Sequence, residues 1–245
     1  MRVVLLGATR GMGRALARLM AERGDRLFLL GRDEEDLRRS ARDLEVRGAT
    51  GEVGAALCDL ADFATFEPAI SAAEAALGGL DAVVVTAGMF RSQDELEADT
   101  ELALRLLRVD FSQTVAFCEL ARKALLAGGG GTLCVFSSVA GERGRKPVAL
   151  YGAAKAGLSQ YLEALDHKFR SAGLVTVCVK PGFVKTGMTA GLQPPPFAGE
   201  PVAVARRVLR AIDRGTPEVY APAIWRWIMW VIRLLPRFLM RRIGF

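Results

Sequence analysis

Residues 3–13 read VVLLGATRGMG and carry the strongest indication of the fold. Four consecutive apolar residues, 3–6, are typical of a short buried strand, and a glycine-rich turn follows them directly. Apolar residues then recur at helical spacing over 13–23. Small residues at such a turn let the backbone approach a pyrophosphate, and the helix N-terminus offers free N–H groups to it. The stretch favours a dinucleotide-binding strand–turn–helix unit, although an ordinary tight turn stays open on this motif alone.

The same alternation continues along the chain. Strand-like runs lie at 3–6, 27–30, 53–57, 82–86, 132–136, 175–179 and 218–220, and helical patterns at 13–23, 33–46, 63–77, 101–126, 151–170 and 202–214. Continuous apolar strands joined by helix-length crossovers indicate a parallel sheet covered on both faces. We therefore expect a doubly wound, Rossmann-like α/β domain of about seven strands over residues 1–220, followed by a hydrophobic, arginine-bearing helical tail over 221–245.

Composition supports a single folded domain. Of the 245 residues, 51% are hydrophobic and 24% charged, which is sufficient for a substantial core. The four cysteines are widely spaced and form no CxxC pair, so a metal site and a disulfide framework are both poorly supported. The N-terminus lacks the long apolar core of a signal peptide. These features together predict a protein of the reducing cytoplasm without a metal.

A second group of residues is suited to proton transfer. Tyr151 and Lys155 are four residues apart in a predicted helix, so their side chains share one face. A phenol has a pKa near 10, and a neighbouring ammonium favours the phenolate and brings that pKa toward neutral pH. Ser138 closes the fifth predicted strand, thirteen residues before Tyr151. A YxxxK pair alone is common by chance, so the evidence for a proton-transfer site is the combination of this pair with Ser138.

Five motifs in order resemble the short-chain dehydrogenase/reductase family over residues 1 to about 220. They are the GxxxGxG turn at 7–13, the Ala-Gly pair at 87–88, the serine at 138, YGAAK at 151–155 and PGFVKT at 181–186. The resemblance implies an oxidoreductase acting on CH–OH and C=O groups. It also implies that Ser138 binds the substrate oxygen while Tyr151, assisted by Lys155, exchanges the proton.

The resemblance further implies which residues hold the nicotinamide cofactor. They are Gly7, Thr9, Arg10, Gly11, Met12, Gly13, Arg32, Asp59, Leu60, Ala87, Gly88, Tyr151, Lys155, Pro181, Gly182, Val184 and Thr186. Asp59 matches the family's aspartate near the adenine amino group, and the backbone near Val184 would meet the nicotinamide carboxamide, which Thr186 would also approach.

Arginines at the adenosine end indicate NADP(H). An acidic residue at the end of the second strand would bind the ribose hydroxyls of NAD and repel a 2′-phosphate. The chain instead has Gly31 followed by Arg32, and Arg10 lies in the glycine turn. Two guanidiniums there could bind the phosphate bidentately. The alternative is that both are solvated surface arginines.

Two positions depart from the family pattern. Residues 85–88 read Val-Thr-Ala-Gly where the family usually has Asn-Asn-Ala-Gly, and the retained Ala-Gly turn suggests little harm. Asp110 replaces the family's helical asparagine, whose backbone carbonyl helps to hold a water bonded to the lysine. A carboxylate there would add negative charge near Lys155 and raise the pKa of Tyr151. Asp110 is therefore a catalytic candidate, with simple support of a helix distortion as the alternative.

The tail holds the excess charge. The chain has 33 lysines and arginines against 27 acidic residues, and residues 219–245 contain five of the arginines and no acid. The remainder is close to neutral, which argues against a nucleic-acid-binding surface on the domain. The tail is too short and too interrupted by arginine for a transmembrane helix. Two interpretations stay open: peripheral membrane contact through 223–242, or packing on a partner subunit or over the substrate pocket.

The leading hypothesis is a cytoplasmic NADPH-dependent reductase, or reversible dehydrogenase, of a ketone or aldehyde on a bulky apolar substrate, with a lipid-linked carbonyl included. The family resemblance implies a homo-oligomer, a dimer or tetramer, formed through the helices at 101–126 and 151–170. A second hypothesis is a catalytically weak nucleotide-sensing or scaffolding protein, which Asp110 alone favours. A third is a sugar epimerase or dehydratase, which the short C-terminal region and the glycine spacing both disfavour.

Overall fold

The computed structural model describes residues 1–243. The strands are β1 (Arg2–Leu6), β2 (Arg26–Gly31), β3 (Gly54–Leu57), β4 (Ala82–Val85), β5 (Gly131–Phe136), β6 (Leu174–Pro181) and β7 (Glu218–Ala221). The helices are α1 (Gly11–Glu22), α2 (Glu34–Val46), α3 (Phe66–Leu77), α4 (Gln93–Ala98), α5 (Thr100–Leu107), α6 (Thr114–Ala127), α7 (Ala149–Phe169), α8 (Pro201–Arg214), α9 (Ile224–Leu234) and α10 (Arg237–Met240).

All seven strands form one parallel sheet in the order β3-β2-β1-β4-β5-β6-β7. The chain therefore winds outward from β1 to one edge and then from β4 to the other. At this reversal the loops after β1 and β4 part and open a crevice at the carboxyl ends of the strands. The predicted doubly wound, Rossmann-like fold is confirmed, and the crevice is where such a sheet binds its ligands.

Apolar cores cover both faces of the sheet. Val3 and Leu5 of β1 point into one core, which α1, α2 and α8 cover, whereas Val4 and Leu6 point into the other, beneath α3, α6 and α7. All four side chains are at most 1% exposed. Each contributes about 1.5–3 kcal/mol by leaving water, which explains why the strand reads as an unbroken apolar run.

The predicted single helix over 101–126 is wrong. α5 ends at Leu107, a π-helical turn follows over Arg108–Gln113, and α6 begins at Thr114. The hydroxyl of Thr114 donates to the carbonyl of Val109 at 2.7 Å and stabilises the widened turn. Apolar periodicity continues through the turn, so the sequence pattern concealed it, and the structure thereby carries Asp110 inward.

Other boundaries move by a few residues. The predicted helix over 63–77 is a 3-10 turn, Phe63–Thr65, followed by α3. β3 begins at Gly54 and β4 ends at Val85, which leaves Thr86 in the loop at the crevice. α4 was not predicted, and its capping box joins Ser92 to Glu95.

The tail folds back on the domain. α9 buries Met229 and Ile232 against Val139 and Tyr220, and the chain turns at Pro236 before α10. None of the helices within residues 1–243 is long and apolar enough to cross a membrane.

Candidate active site

The glycine turn after β1 has no room for side chains at two positions. A Cβ added to Gly7, where φ is +96°, would lie 2.6 Å from the backbone nitrogen of Ala87. A Cβ on Gly13 would lie 2.3 Å from the carbonyl oxygen of Gly7. Thr86 fixes the turn because its hydroxyl lies 2.9 Å from the same oxygen and 3.2 Å from the carbonyl oxygen of Leu6. Thr86, which departs from the family's asparagine, therefore holds the turn in place.

The first turn of α1 forms the floor of the crevice. α1 begins at Gly11, and no side chain caps its N-terminus, so the first N–H groups remain free for an anion. Thr186 comes across from the loop after β6, and its Cγ2 lies 3.5 Å from a Cβ built on Gly11. Met12 packs against the core beneath this turn, and Thr9 accepts a hydrogen bond from Arg14 at 2.7 Å. Two segments that were predicted to bind the cofactor, the glycine turn and the loop after β6, therefore lie next to each other.

The adenosine end carries an unpredicted acid. Arg10 is 78% exposed along its side chain and pairs with Asp36 at 2.6 Å. Arg39 binds the same carboxylate, and hydrogen bonds from Arg10 and then Arg39 hold the pKa of Asp36 below its usual value. Arg32 is exposed in the turn between β2 and α2. The structure therefore places Arg10 after β1 and Arg32 after β2, with Arg10 turned toward α2.

The loop after β3 lies beside the same turn. The backbone N–H of Cys58 donates to the carbonyl of Gly31 at 2.8 Å, so Asp59 and Leu60 come next to the end of β2. Asp59 accepts a hydrogen bond from the backbone N–H of Ala61 at 2.9 Å, and Leu60 is buried. Asp59 is thus held by its own loop at the edge of the crevice.

The segment after β5 packs closely on α7. A Cβ added to Gly141 would lie 2.6 Å from the backbone nitrogen of Ala156, and one on Gly152 would lie 2.8 Å from the carbonyl oxygen of Ala140. The hydroxyl of Ser137 donates to the carbonyl of Lys155 at 2.9 Å. This close approach fixes Ser138 beside the first turns of α7. None of these three anchoring residues was predicted, because their role depends on contacts between distant segments.

Tyr151 and Lys155 share the inner face of α7. The ammonium of Lys155 lies 5.7 Å from the centre of the Tyr151 ring and donates to the carbonyl of Phe136 at 3.4 Å. Burial is the largest influence and raises the pKa of the Tyr151 phenol, while Lys155 and a hydrogen bond with Ser138 lower it. The negative charge of Asp110 raises it further, and the net result is a raised pKa. Lys155 acts in the expected direction, but burial outweighs it, so the predicted fall of the Tyr151 pKa toward neutral pH is not confirmed and the phenol holds its proton at neutral pH.

Asp110 forms a buried pair with Lys155. Its carboxylate is fully buried, and Oδ2 lies 3.7 Å from Lys155 Nζ. Oδ1 accepts a hydrogen bond from the backbone N–H of Met89 at 2.7 Å, whereas Oδ2 has no hydrogen-bond partner among the described residues. Burial raises the pKa of Asp110, and the attraction of Lys155 opposes that rise. Gly88 leaves the required space, because its Cβ would lie 3.0 Å from Oδ1.

Apolar side chains surround the phenol. Phe90 packs edge-on against Tyr151 with 5.2 Å between ring centres. Met89 and Leu150 belong to the same apolar cluster as Tyr151. No motif marks these residues, so they could not be predicted from the sequence. Tyr151 therefore lies against a group of apolar side chains from the loop after β4 and from the start of α7.

The loop after β6 lies under the tail. β6 ends at Pro181, and the N–H of Gly182 donates to the carbonyl of Ala221 at 3.1 Å. A Cβ on Gly182 would lie 2.1 Å from Trp225 Nε1, so the indole of α9 lies directly on this glycine. Val184 is buried and pairs with Gly199.

Within residues 1–243 no group of three or more acidic, cysteine or histidine side chains could hold a metal.

Comparison with known proteins agrees with this architecture. The family model described as short chain dehydrogenase matches residues 1–196. An uncharacterized oxidoreductase of Mycobacterium tuberculosis is 33% identical over 98% of this chain and 96% of its own. Carbonyl reductase family member 4 of Xenopus tropicalis is 30% identical over 85% of this chain and 89% of its own.

A solved structure is also similar. The crystal structure of an actinorhodin polyketide ketoreductase variant with NADPH has a TM-score of 0.80 and 25% identity, covering 89% of this chain and 94% of the ketoreductase. The chain belongs to the short-chain dehydrogenase/reductase family and is an oxidoreductase of that family.

Proposed function

We propose that the protein reduces a ketone or aldehyde on a bulky apolar substrate with NADPH, and oxidises the corresponding alcohol in reverse. The observation that carries this proposal is the joint placement of Ser138, Tyr151 and Lys155 at the crevice that the glycine turn lines. The known relatives support the chemistry, since one is named a carbonyl reductase and a structural neighbour is a ketoreductase with NADPH.

The residues at the crevice fit a dinucleotide. Gly7 and Gly13 let the turn pack tightly on itself and on residues 86–87, and α1 begins without a side-chain cap. A pyrophosphate there would accept hydrogen bonds from the free N–H groups of the first turn of α1. When bound, the nicotinamide would supply the hydride. Thr186, next to Gly11, and the backbone near Val184 would contact its carboxamide end.

The proposed proton transfer uses Tyr151 and Lys155 of α7 together with Ser138, which follows β5. Ser138 would donate a hydrogen bond to the carbonyl oxygen and hold it against Tyr151. The protonated phenol would then give its proton to that oxygen as negative charge develops there. Lys155 would stabilise the phenolate that remains, and Asp110 acts on the reaction through Lys155. In the alcohol-oxidising direction the same phenolate takes the proton back.

The preference for NADPH rests on Arg10 and Arg32. Neither β2 nor the turn after it carries an acid at position 31 or 32, and both arginines lie at the adenosine end. A 2′-phosphate there would compete with Asp36 for the guanidinium of Arg10. The guanidinium of Arg10 is exposed and can turn to a phosphate, and Asp36 keeps Arg39 as a partner when Arg10 leaves it.

Replacing Arg10 and Arg32 together by alanine should weaken NADPH selectively. Hydrogen bonds to a charged group contribute about 1.5–3 kcal/mol, so we expect the Kd for NADPH to rise about 10- to 100-fold. The Kd for NADH should change little. Isothermal titration calorimetry with each cofactor measures both. Arg38→Ala, an exposed arginine of α2 paired with Glu34, is the control. Equal weakening of both cofactors would contradict a phosphate-binding role.

The apolar substrate class rests on Met89, Phe90 and Leu150 around Tyr151, with Trp225 over the loop after β6. A series of methyl ketones of increasing chain length tests it. Each buried methylene contributes about 0.8 kcal/mol, so kcat/KM for NADPH oxidation should rise about fourfold per added methylene until the pocket is filled. A preference for short or charged carbonyl compounds would refute this substrate class.

We propose a homo-oligomer in the cytoplasm as the working form. Exposed apolar residues support the first point: Leu104 of α5 is 44% exposed and Phe111 of the π-helical turn 38% exposed, on the helices expected to form the subunit contact. All four cysteines are buried and unpaired, which supports a reducing compartment.

The second candidate, a nucleotide sensor with little turnover, is favoured by one observation. The buried carboxylate of Asp110 raises the pKa of Tyr151 and occupies the position at which the family has asparagine. A sensor would bind NADPH tightly and oxidise it with none of the ketones. Oxidation of NADPH in the presence of an apolar ketone, measured alongside NADPH binding, separates the two candidates.

A further inference from the structure

α9 has a second apolar face that the domain does not cover. Its outer stripe, as we name it, consists of Ile224, Trp227, Trp230, Val231 and Leu234, and continues to Phe238 of α10. These side chains are 42–66% exposed, with Trp227 and Leu234 both at 66%. Their spacing of three and four residues places them on one side of the helix.

Packing of α9 on the domain accounts only for the face of the helix opposite the outer stripe. Met229 and Ile232 are buried, and Trp225 is half-buried against the same cluster as Val139 and Tyr220. A surface helix that serves only its own core has one apolar face. Two tryptophans more than half exposed on the other side indicate a contact with something outside the chain.

The surroundings of the outer stripe are strongly basic. Residues 219–245 contain Arg226, Arg233, Arg237, Arg241 and Arg242 and no acid. Within residues 1–243, only Arg233 of these five has an acidic partner, the buried Glu142 at 3.3 Å. Lys146 adds to the basic surface, because its ammonium donates to the carbonyl of Arg241 at 2.6 Å.

We propose that the outer stripe docks on the surface of a bilayer that contains anionic lipids. Tryptophans settle at the level of the headgroups, aliphatic side chains enter the acyl boundary, and arginines bind the lipid phosphates. A second copy of the chain fits less well. A two-fold contact would bring the same arginine-bearing face against itself, and the tail holds no acid to offset the repulsion.

Docking would bring the catalytic crevice close to the lipid. The inner face of α9 contacts Val139, which follows Ser138, and Trp225 lies on Gly182. An apolar carbonyl compound dissolved in the bilayer would then reach the site over a short path. The docking itself does not depend on the proposed chemistry, since it follows from the surface of α9 alone.

Co-sedimentation of the full chain with lipid vesicles tests the docking. We expect binding to vesicles of phosphatidylcholine with about one third phosphatidylglycerol, and much weaker binding to phosphatidylcholine alone. Raising the salt concentration should weaken the binding, because headgroup and guanidinium charges are screened. Absence of binding to the anionic vesicles would overturn the proposal.

Matched variants assign the binding to the outer stripe. Trp227→Ala combined with Trp230→Ala should weaken vesicle binding at least about tenfold without changing the melting temperature, because both side chains are exposed. Phe63→Ala, which removes an aromatic side chain that is 56% exposed and packs on α3, should bind like the wild type. Equal binding by the tryptophan variant would refute a role for the outer stripe.

Charge reversal separates electrostatic from apolar binding. Arg226→Glu with Arg237→Glu should weaken binding to anionic vesicles at least about fivefold per arginine, whereas Arg38→Glu with Arg42→Glu on α2 should not. Sedimentation velocity on the wild type and on the tryptophan variant shows whether the outer stripe joins two copies of the chain. If that variant dissociates an oligomer and no vesicle binding occurs, the outer stripe is a contact between copies and the proposal fails.

Discussion

Tyr151→Phe is expected to lower kcat for NADPH-dependent ketone reduction by about 10²–10⁴-fold, the usual contribution of a positioned general acid. The ring still packs edge-on against Phe90, so the fold and the affinity for NADPH should be retained. Only the proton donor is lost. Steady-state kinetics, together with a fluorescence titration of NADPH, measures the two effects separately.

Tyr161→Phe is the matched control. Tyr161 lies on the same helix, and its hydroxyl donates to Glu119 at 2.7 Å, away from the crevice. Its removal should leave kcat close to that of the wild type. If Tyr151→Phe turned over at the wild-type rate, the assignment of Tyr151 as proton donor would be wrong.

Lys155→Met has the second largest expected effect, and it acts on both catalysis and stability. Lys155 lowers the pKa of Tyr151, so its loss leaves the phenolate unsupported and should reduce kcat on the order of 10²-fold. It also leaves the buried carboxylate of Asp110 unpaired. Breaking a buried pair in this way costs about 3–5 kcal/mol of unfolding free energy. Urea unfolding at several pH values measures the cost.

The cost should depend on pH in a defined direction. Burial already raises the pKa of Asp110 in the folded state, and without Lys155 the opposing attraction is gone. A carboxyl whose folded pKa lies above its unfolded value, near 3.9, favours folding when protonated. The destabilisation of Lys155→Met should therefore be small below about pH 4 and grow toward neutral pH. A pH-independent cost would contradict the buried pair.

The double variant separates stability from catalysis. Asp110→Asn in the Lys155→Met background removes the unpaired charge, so the free energy of unfolding should recover at neutral pH while kcat stays low. Asp110→Asn alone removes a charge that raises the pKa of Tyr151. The acid limb of the pH profile for alcohol oxidation should then move to lower pH. An unmoved profile would indicate that Asp110 only supports the π-helical turn.

Local patterns predicted much of the fold and of the crevice. The unbroken apolar run of β1 and the glycines after it depend on neighbours in sequence, and the structure places Gly7 and Gly13 where a Cβ would clash. The parallel arrangement of the strands follows from their alternation with helices of crossover length. Such features could be read from the sequence because each arises within one strand–turn–helix unit.

The remaining features depend on contacts between distant segments. Asp36, which pairs with Arg10, lies on the helix after the second strand, and nothing in the sequence near the glycine turn indicates it. Periodicity concealed the π-helical turn that buries Asp110. The covered face of α9 is identified by the packing of Trp225 on Gly182, a contact between segments far apart in the sequence. Helix spacing alone could not say which tryptophans are covered.

The proposed reaction transfers hydride from NADPH to an apolar ketone, with Tyr151 as the proton donor. The most direct measurement follows NADPH oxidation at its near-ultraviolet absorbance with purified protein and a long-chain methyl ketone, with NADH and Tyr151→Phe assayed in parallel. We expect turnover that requires the ketone, prefers NADPH and is nearly lost in the variant. Tight binding of NADPH without turnover of any ketone, or turnover that survives in Tyr151→Phe, would contradict it.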